Sequence, residues 1–113
     1  MAAYVDNARI PAVVGTVRGR WSHLTADTPT ELHALAARIG LRREWYQGKC
    51  KDRHCPALDG SCVHFHYDVT DTKRDEALAA GARDITMREL GDLIRARHAP
   101  LLHVRRHRAR RRG

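Results

Sequence analysis

Aromatic residues are scarce: the 113-residue chain has one Phe, two Trp and three Tyr, so its core must rest mainly on Leu, Ile, Val and Ala. No apolar run approaches the roughly 18 residues needed to span a bilayer, which leaves no membrane segment to expect. The start, from Met1 to Asp6, lacks the charged-then-apolar pattern of a leader. Also missing are a phosphate-binding glycine loop, Gly-x-Ser-x-Gly, His-Glu-x-x-His and the dinucleotide fingerprint, so no motif names a reaction. Cysteine is limited to three residues, all between Cys50 and Cys62. An odd, clustered set argues against a secreted disulfide scaffold and makes a reducing, cytoplasmic location the expectation.

Hydrophobic residues make up 42% of the chain and charged residues 30%, a balance that suits a globular protein. The length allows one domain, over residues 1–99, with a Cys/His loop at 48–66 and a basic, disordered tail over 100–113. The formal net charge of +8 belongs mostly to that tail. Arg105, Arg106, Arg108, Arg110, Arg111 and Arg112 have no acid among them; without them 15 basic residues face 13 acidic ones.

Three helix starts are legible. Thr28-Pro29-Thr30-Glu31 offers a capping threonine, a proline at the first helical position and a reciprocal glutamate. Leu32, Leu35, Ala36 and Ile39 follow at helical spacing, and Gly40 stands where the helix ends. Thr72 opens a second helix that closes near Gly81. Thr86 and Glu89 form another capping box, with Leu90, Leu93 and Ile94 as its apolar stripe and Pro100 as its limit. Strand patterns appear at Tyr4-Val5-Asp6, 13–17, 21–26, 44–47, 63–69 and 83–86. The clearest is 63–69, where Val63, Phe65, Tyr67 and Val69 alternate with His64, His66 and Asp68. From Trp21 onward the order is β-α-β-β-α-β-α. It predicts an α+β fold of the split β-α-β (ferredoxin-like) kind, an antiparallel sheet with an extra N-terminal strand, a C-terminal helix and a basic tail.

Two constellations carry chemistry. Cys50-x4-Cys55-x6-Cys62-x-His64, with His54 and His66 in reserve, offers the thiolate and imidazole ligands that zinc prefers. A Cys-x-x-Cys redox pair is absent. The second constellation is the sheet face opposite the core. Alternation puts His64, His66 and Asp68 together, and a ferredoxin-like order sets the first and third strands side by side. His23 then lies beside His64 or His66, and Asp6 joins from the N-terminal strand. Histidines with a carboxylate ligate a divalent metal or act as general base and orienter. In Glu31-Leu32-His33 the glutamate serves the cap and the histidine edges the apolar stripe, a structural role. The arginine tail binds phosphate backbones through counterion release or serves as a solubilising extension.

Tyr4-Val5-Asp6, Trp21–Asp27, Glu31-Leu32-His33, His66-Tyr67-Asp68 and Arg88-Glu89-Leu90, in that order, resemble the bacterial and bacteriophage family catalogued as domain of unknown function 4031. The resemblance covers most of residues 4–94 and excludes the arginine tail. It implies a bacterial or phage source and picks out Asp6, His23, Asp27, His33, His66 and Asp68 as motif positions. The family has no established activity, and the cysteine loop is a less constant part of its pattern.

The expectation is therefore a small metal-binding protein. Zinc is held by Cys50, Cys55, Cys62 and His64, and His23, His66, Asp68 and Asp6 form a catalytic face. That face uses a second divalent metal of unspecified identity, or general-base chemistry, to hydrolyse a phosphoester or nucleic acid. The alternative is a non-enzymatic, zinc-stabilised module whose arginine tail contacts nucleic acid or an acidic protein. A homodimer paired through the open sheet face is compatible with both.

Overall fold

Each helix begins where a threonine hydroxyl takes up a backbone N–H that the first turn leaves unpaired. The computed structural model describes residues 2–49 and 61–97. Helix α1, Pro29–Arg38, is capped by Thr28, whose Oγ1 accepts from the Glu31 N–H at 3.3 Å. Helix α2, Asp71–Ala79, is capped by Thr70, two residues ahead of the expected Thr72. Thr70 ends the preceding strand with extended backbone, so its hydroxyl is already placed to accept from the Lys73 N–H at 3.4 Å. A third helix, α3, covers 87–97. Its capping box is complete: Glu89 N–H donates to Thr86 Oγ1 and Thr86 N–H to Glu89 Oε1, both at 3.1 Å. Helices α1 and α2 stop the same way. Gly40 and Gly81 turn left-handed at φ +79° and +104°. The following residues, Leu41 and Ala82, then donate back to the Ala36 and Ala77 carbonyls at 2.9 and 3.0 Å.

Six strands form one sheet: β1 Ala3–Val5, β2 Ile10–Val14, β3 Val17–Ala26, β4 Gln47–Lys49, β5 Ser61–Thr70 and β6 Arg83–Asp84. The order is β4-β5-β3-β1-β6, with β2 paired to β3 beyond β1. Two expectations are corrected here. The sheet is mixed, because β6 runs parallel to β1 while the other pairs are antiparallel. The arrangement is also not the simple split β-α-β order, in which the last strand would lie against β3. Strand β1 takes that place, with Ala3, Tyr4 and Val5 opposite Ala26, Thr25 and Leu24. Asp27 fixes it there by accepting from the Ala2 N–H and the Tyr4 hydroxyl, both at 2.8 Å.

Two local readings also change. Of the segment expected as a strand over 44–47, Glu44 and Trp45 lie in a 3-10 turn, Arg43–Trp45, closed by Trp45 N–H to the Arg42 carbonyl at 3.0 Å, and only Gln47 is in a strand, the start of β4. Residues 13–17 are not one strand but the turn of a hairpin. Gly15, at φ +61°, occupies the first turn position, which suits the twist of paired strands.

One sheet face meets α1 and α2. Leu24, Val5, Tyr67 and Val69 from the sheet pack with Leu32, Leu35 and Ala36 of α1, Ile39 at its C-terminal cap and Ala77 of α2. Each large apolar side chain fully buried there contributes about 1.5–3 kcal/mol. Helix α3 stands against the other face, where Leu90 and Ile94 border a cavity shared with His23, Thr25, His64 and His66. That face is therefore partly covered. Among the described residues no helix is long and apolar enough to cross a membrane.

Candidate metal centre

Asp6 sits in a gap of the sheet, between the end of β1 and the start of β2 on the same edge of β3. Its carboxylate does the work of a missing strand there. Oδ1 accepts from the His23 N–H at 2.8 Å and the Ala8 N–H at 3.3 Å, and the Asp6 N–H donates to the His23 carbonyl at 3.0 Å. The Arg74 Nε donates to the Asp6 carbonyl at 2.8 Å. Fully buried, Asp6 has its second oxygen 2.7 Å from His23 Nδ1. Burial pushes its carboxyl up, but the side-chain and backbone hydrogen bonds from His23 outweigh that and hold it below the usual range. The same hydrogen bond, aided by the charges of Asp6 and Asp68, raises the His23 imidazole against its own partial burial.

His23 stands opposite Asp68 in the β3–β5 ladder, and His66 lies one same-face position along β5. The two imidazole rings are 5.4 Å apart, nearly edge to face. His66 Nδ1 lies 2.6 Å from the His64 carbonyl, which can only accept, so Nδ1 carries the proton. Its Nε2 then faces Asp68 Oδ1 at 3.3 Å. Asp68 Oδ2 accepts from the Gln47 side-chain amide at 2.6 Å. The hydrogen bond from His66, then that from Gln47, hold the Asp68 carboxyl down against its burial.

One ligand atom each from His23, His66 and Asp68 falls within 4.8 Å of the others. Both Nδ1 positions are committed to oxygen acceptors, which leaves Nε2 as the nitrogen each ring has for a metal. With one proton of His66 held at Nδ1, the contact of Nε2 with Asp68 Oδ1 at 3.3 Å needs a positive charge between the two atoms. A shared proton or a shared cation resolves that contact. Around a tetrahedral zinc, with bonds of about 2.0–2.2 Å, neighbouring ligand atoms lie roughly 3.3–3.6 Å apart. The His66–Asp68 spacing matches.

Residues 3–97 match the model of a family described as protein of unknown function, DUF4031. The chain belongs to that family. No curated protein and no solved structure matches it.

In this DUF4031 chain the motif positions divide in two. Asp6, His23, His66 and Asp68 meet at the centre. Asp27 instead pins β1, and His33 packs its ring 4.4 Å from Tyr46 with Nδ1 2.9 Å from the Tyr67 hydroxyl. The expected zinc loop falls largely elsewhere: Cys50 and Cys55, with His54, lie outside the described residues, and of Cys62 only the backbone is described, within β5. His64 lends its carbonyl to His66, and its side chain borders the cavity beside α3. The arginines from Arg105 to Arg112 also lie outside the described residues.

Sequence reasoning missed two contributors. Gln47, read only as the end of a strand, is brought to Asp68 by the pairing of β4 with β5. Arg97 donates to the Val63 and Ala26 carbonyls and to Thr25 Oγ1, with its guanidinium 4.2 Å from the Phe65 ring. It bridges β3 and β5 beyond Leu24–Tyr67, where their pairing ends. Continuing the Leu90, Ile94 spacing by one turn would have pointed to it.

Proposed function

We propose that this protein is a divalent-metal enzyme that hydrolyses phosphoesters, with His23, His66 and Asp68 as ligands and Asp6 as the residue that orients His23. The observation that carries this reading is the pair of committed Nδ1 atoms. Each histidine has its Nδ1 tied to an oxygen acceptor, the outer hydrogen bond by which proteins aim an imidazole at a metal. Three protein ligands leave a coordination position open for water, and a metal can bring the pKa of that water to about 7. A divalent ion held by His23, His66 and Asp68 would supply hydroxide for attack on phosphorus; the bond to the leaving oxygen would break as the new P–O bond formed, and that oxygen would take its proton from solvent water. The zinc loop of Cys50, Cys55, Cys62 and His64 belongs to the same proposal. By fixing the backbone at His64, it would fix the carbonyl that aims His66.

Cobalt(II) titration tests the centre separately from the loop. In a Cys50→Ser/Cys62→Ser background the visible spectrum of bound cobalt should persist, and adding His23→Ala or His66→Ala should abolish it. Hydrolysis of bis(4-nitrophenyl) phosphate by the metal-loaded protein should disappear with Asp68→Asn. Cobalt binding that survives both histidine substitutions would sink the reading.

A further inference from the structure

The large apolar side chains left in solvent are not scattered. Of the six among the described residues, Val14, Val17 and Trp45 are each about half exposed, at 47%, 47% and 50%, and border one cavity of about 660 Å³. The hairpin turn forms one wall, Trp45 on the 3-10 turn another, and Trp21 and Leu41 contribute further apolar surface. Pockets for small molecules commonly measure about 300–1,000 Å³, mostly apolar with a few polar groups to set orientation. Here the polar groups stand at the metal centre, since Asp68 and the Gln47 that holds its Oδ2 border the same cavity.

Trp21 is held in place by its indole N–H, which donates to the Ala12 carbonyl at 3.1 Å. Arg42 lies over the Trp45 ring, 5.7 Å from its centre. Two indoles with their positions set in this way supply flat, polarisable surface. Aromatic rings stack on such surface whatever their substituents, whereas a flexible aliphatic chain would gain less from it. The lining also argues against a long polyanion. The cation at the cavity, Lys73, is already engaged with the Ile39 carbonyl at 2.6 Å and Glu76 at 2.8 Å.

We infer that the substrate is a small phosphoester of an aromatic group, whose ring lies in the Trp21–Trp45 cavity while its phosphoryl group reaches the centre at Asp68. The ring site stands on the cavity alone; the phosphoryl half rests on the metal reading.

Isothermal titration of the zinc-loaded protein with 1-naphthyl phosphate and with methyl phosphate tests it, because the two share a head group and differ in the ring. The naphthyl compound should bind at least about tenfold more tightly. Trp45→Ala should remove that advantage, leaving the methyl phosphate and zinc affinities unchanged. Trp45 is half exposed and caps no helix, so the variant should fold, and its melting curve checks this. Equal affinity for the two phosphates, or a naphthyl advantage that survives Trp45→Ala, overturns the inference. Should zinc itself fail to bind, the metal reading falls and 1-naphthol on the metal-free protein decides the ring site. Quenching of tryptophan fluorescence that Trp45→Ala weakens about tenfold supports it, and no binding overturns it.

Discussion

A neutral imidazole has one proton and one lone pair, so the group that holds the proton decides where the lone pair points. For His23 that group is a buried carboxylate, and Asp6→Asn is its sharpest test. Asparagine keeps the shape but has one accepting oxygen, which cannot serve both the backbone N–H groups and the ring. Zinc affinity at pH 8, read by competition with a chelator, should fall about 10–100-fold. The same pair makes the metal-free protein pH-sensitive. Asp6 is depressed below its ordinary 3.8, so its contribution is present above that value and lost as pH falls through the folded pKa. His23 is raised above its ordinary 6.5, so its contribution is present below that value and lost as pH rises through the folded pKa. Between those two ordinary values the pair contributes most. The difference in melting temperature between the native chain and Asp6→Asn should peak in that window and shrink on both sides. A difference that does not vary with pH would mean that the aspartate acts through shape alone.

At the scale of elements, legibility follows how local the deciding interaction is. Thr28 with Glu31 and Thr86 with Glu89 close their bonds within one turn, so the residues announce the helix ends. The period of two in β5 is equally local, and it placed His66 and Asp68 on one face before any partner strand was known. What was not legible is pairing at a distance. Nothing near Tyr4 tells that β1 will separate β3 from β6, and a glycine in Val14-Gly15-Thr16-Val17 looks like a blemish until both arms are seen as strands. Arg97 belongs to this second kind. Its guanidinium serves carbonyls of β3 and β5 that their ladder does not reach. Arg97→Ala should therefore free α3 from the sheet at a cost of about 1–3 kcal/mol. Hydrogen exchange should show amides of 87–97 losing protection while those of α1 keep theirs, and zinc affinity should change little. Equal loss of protection in both helices would make Arg97 a support of the whole fold rather than the clasp of one element.

For the molecule as a whole, charge and chemistry fall in different stretches of the sequence. The centre is built from β3, β5 and Asp6 just after β1, whereas six of the 21 basic residues stand between Arg105 and Arg112, and the remainder of the chain is close to neutral. A cation run of that kind acts on any polyanion by releasing its counterions, and the effect shows in the dependence on salt more than in affinity at one condition. With one contact per arginine, the slope of log K against log salt for duplex DNA should be shallower by up to about 5 after deletion of residues 105–113. Zinc affinity and the hydrolysis of a small aryl phosphate should be unaffected, because neither needs the tail. The two measurements together separate the candidate functions. If deletion abolishes DNA binding and spares small-molecule hydrolysis, the tail is an accessory that brings the enzyme to a polyanion. Should DNA binding vanish in a protein that hydrolyses nothing with any metal, the non-enzymatic module is the better description. An unchanged salt slope would assign the polyanion contact, if there is one, to the folded body and leave the tail as a solubilising extension.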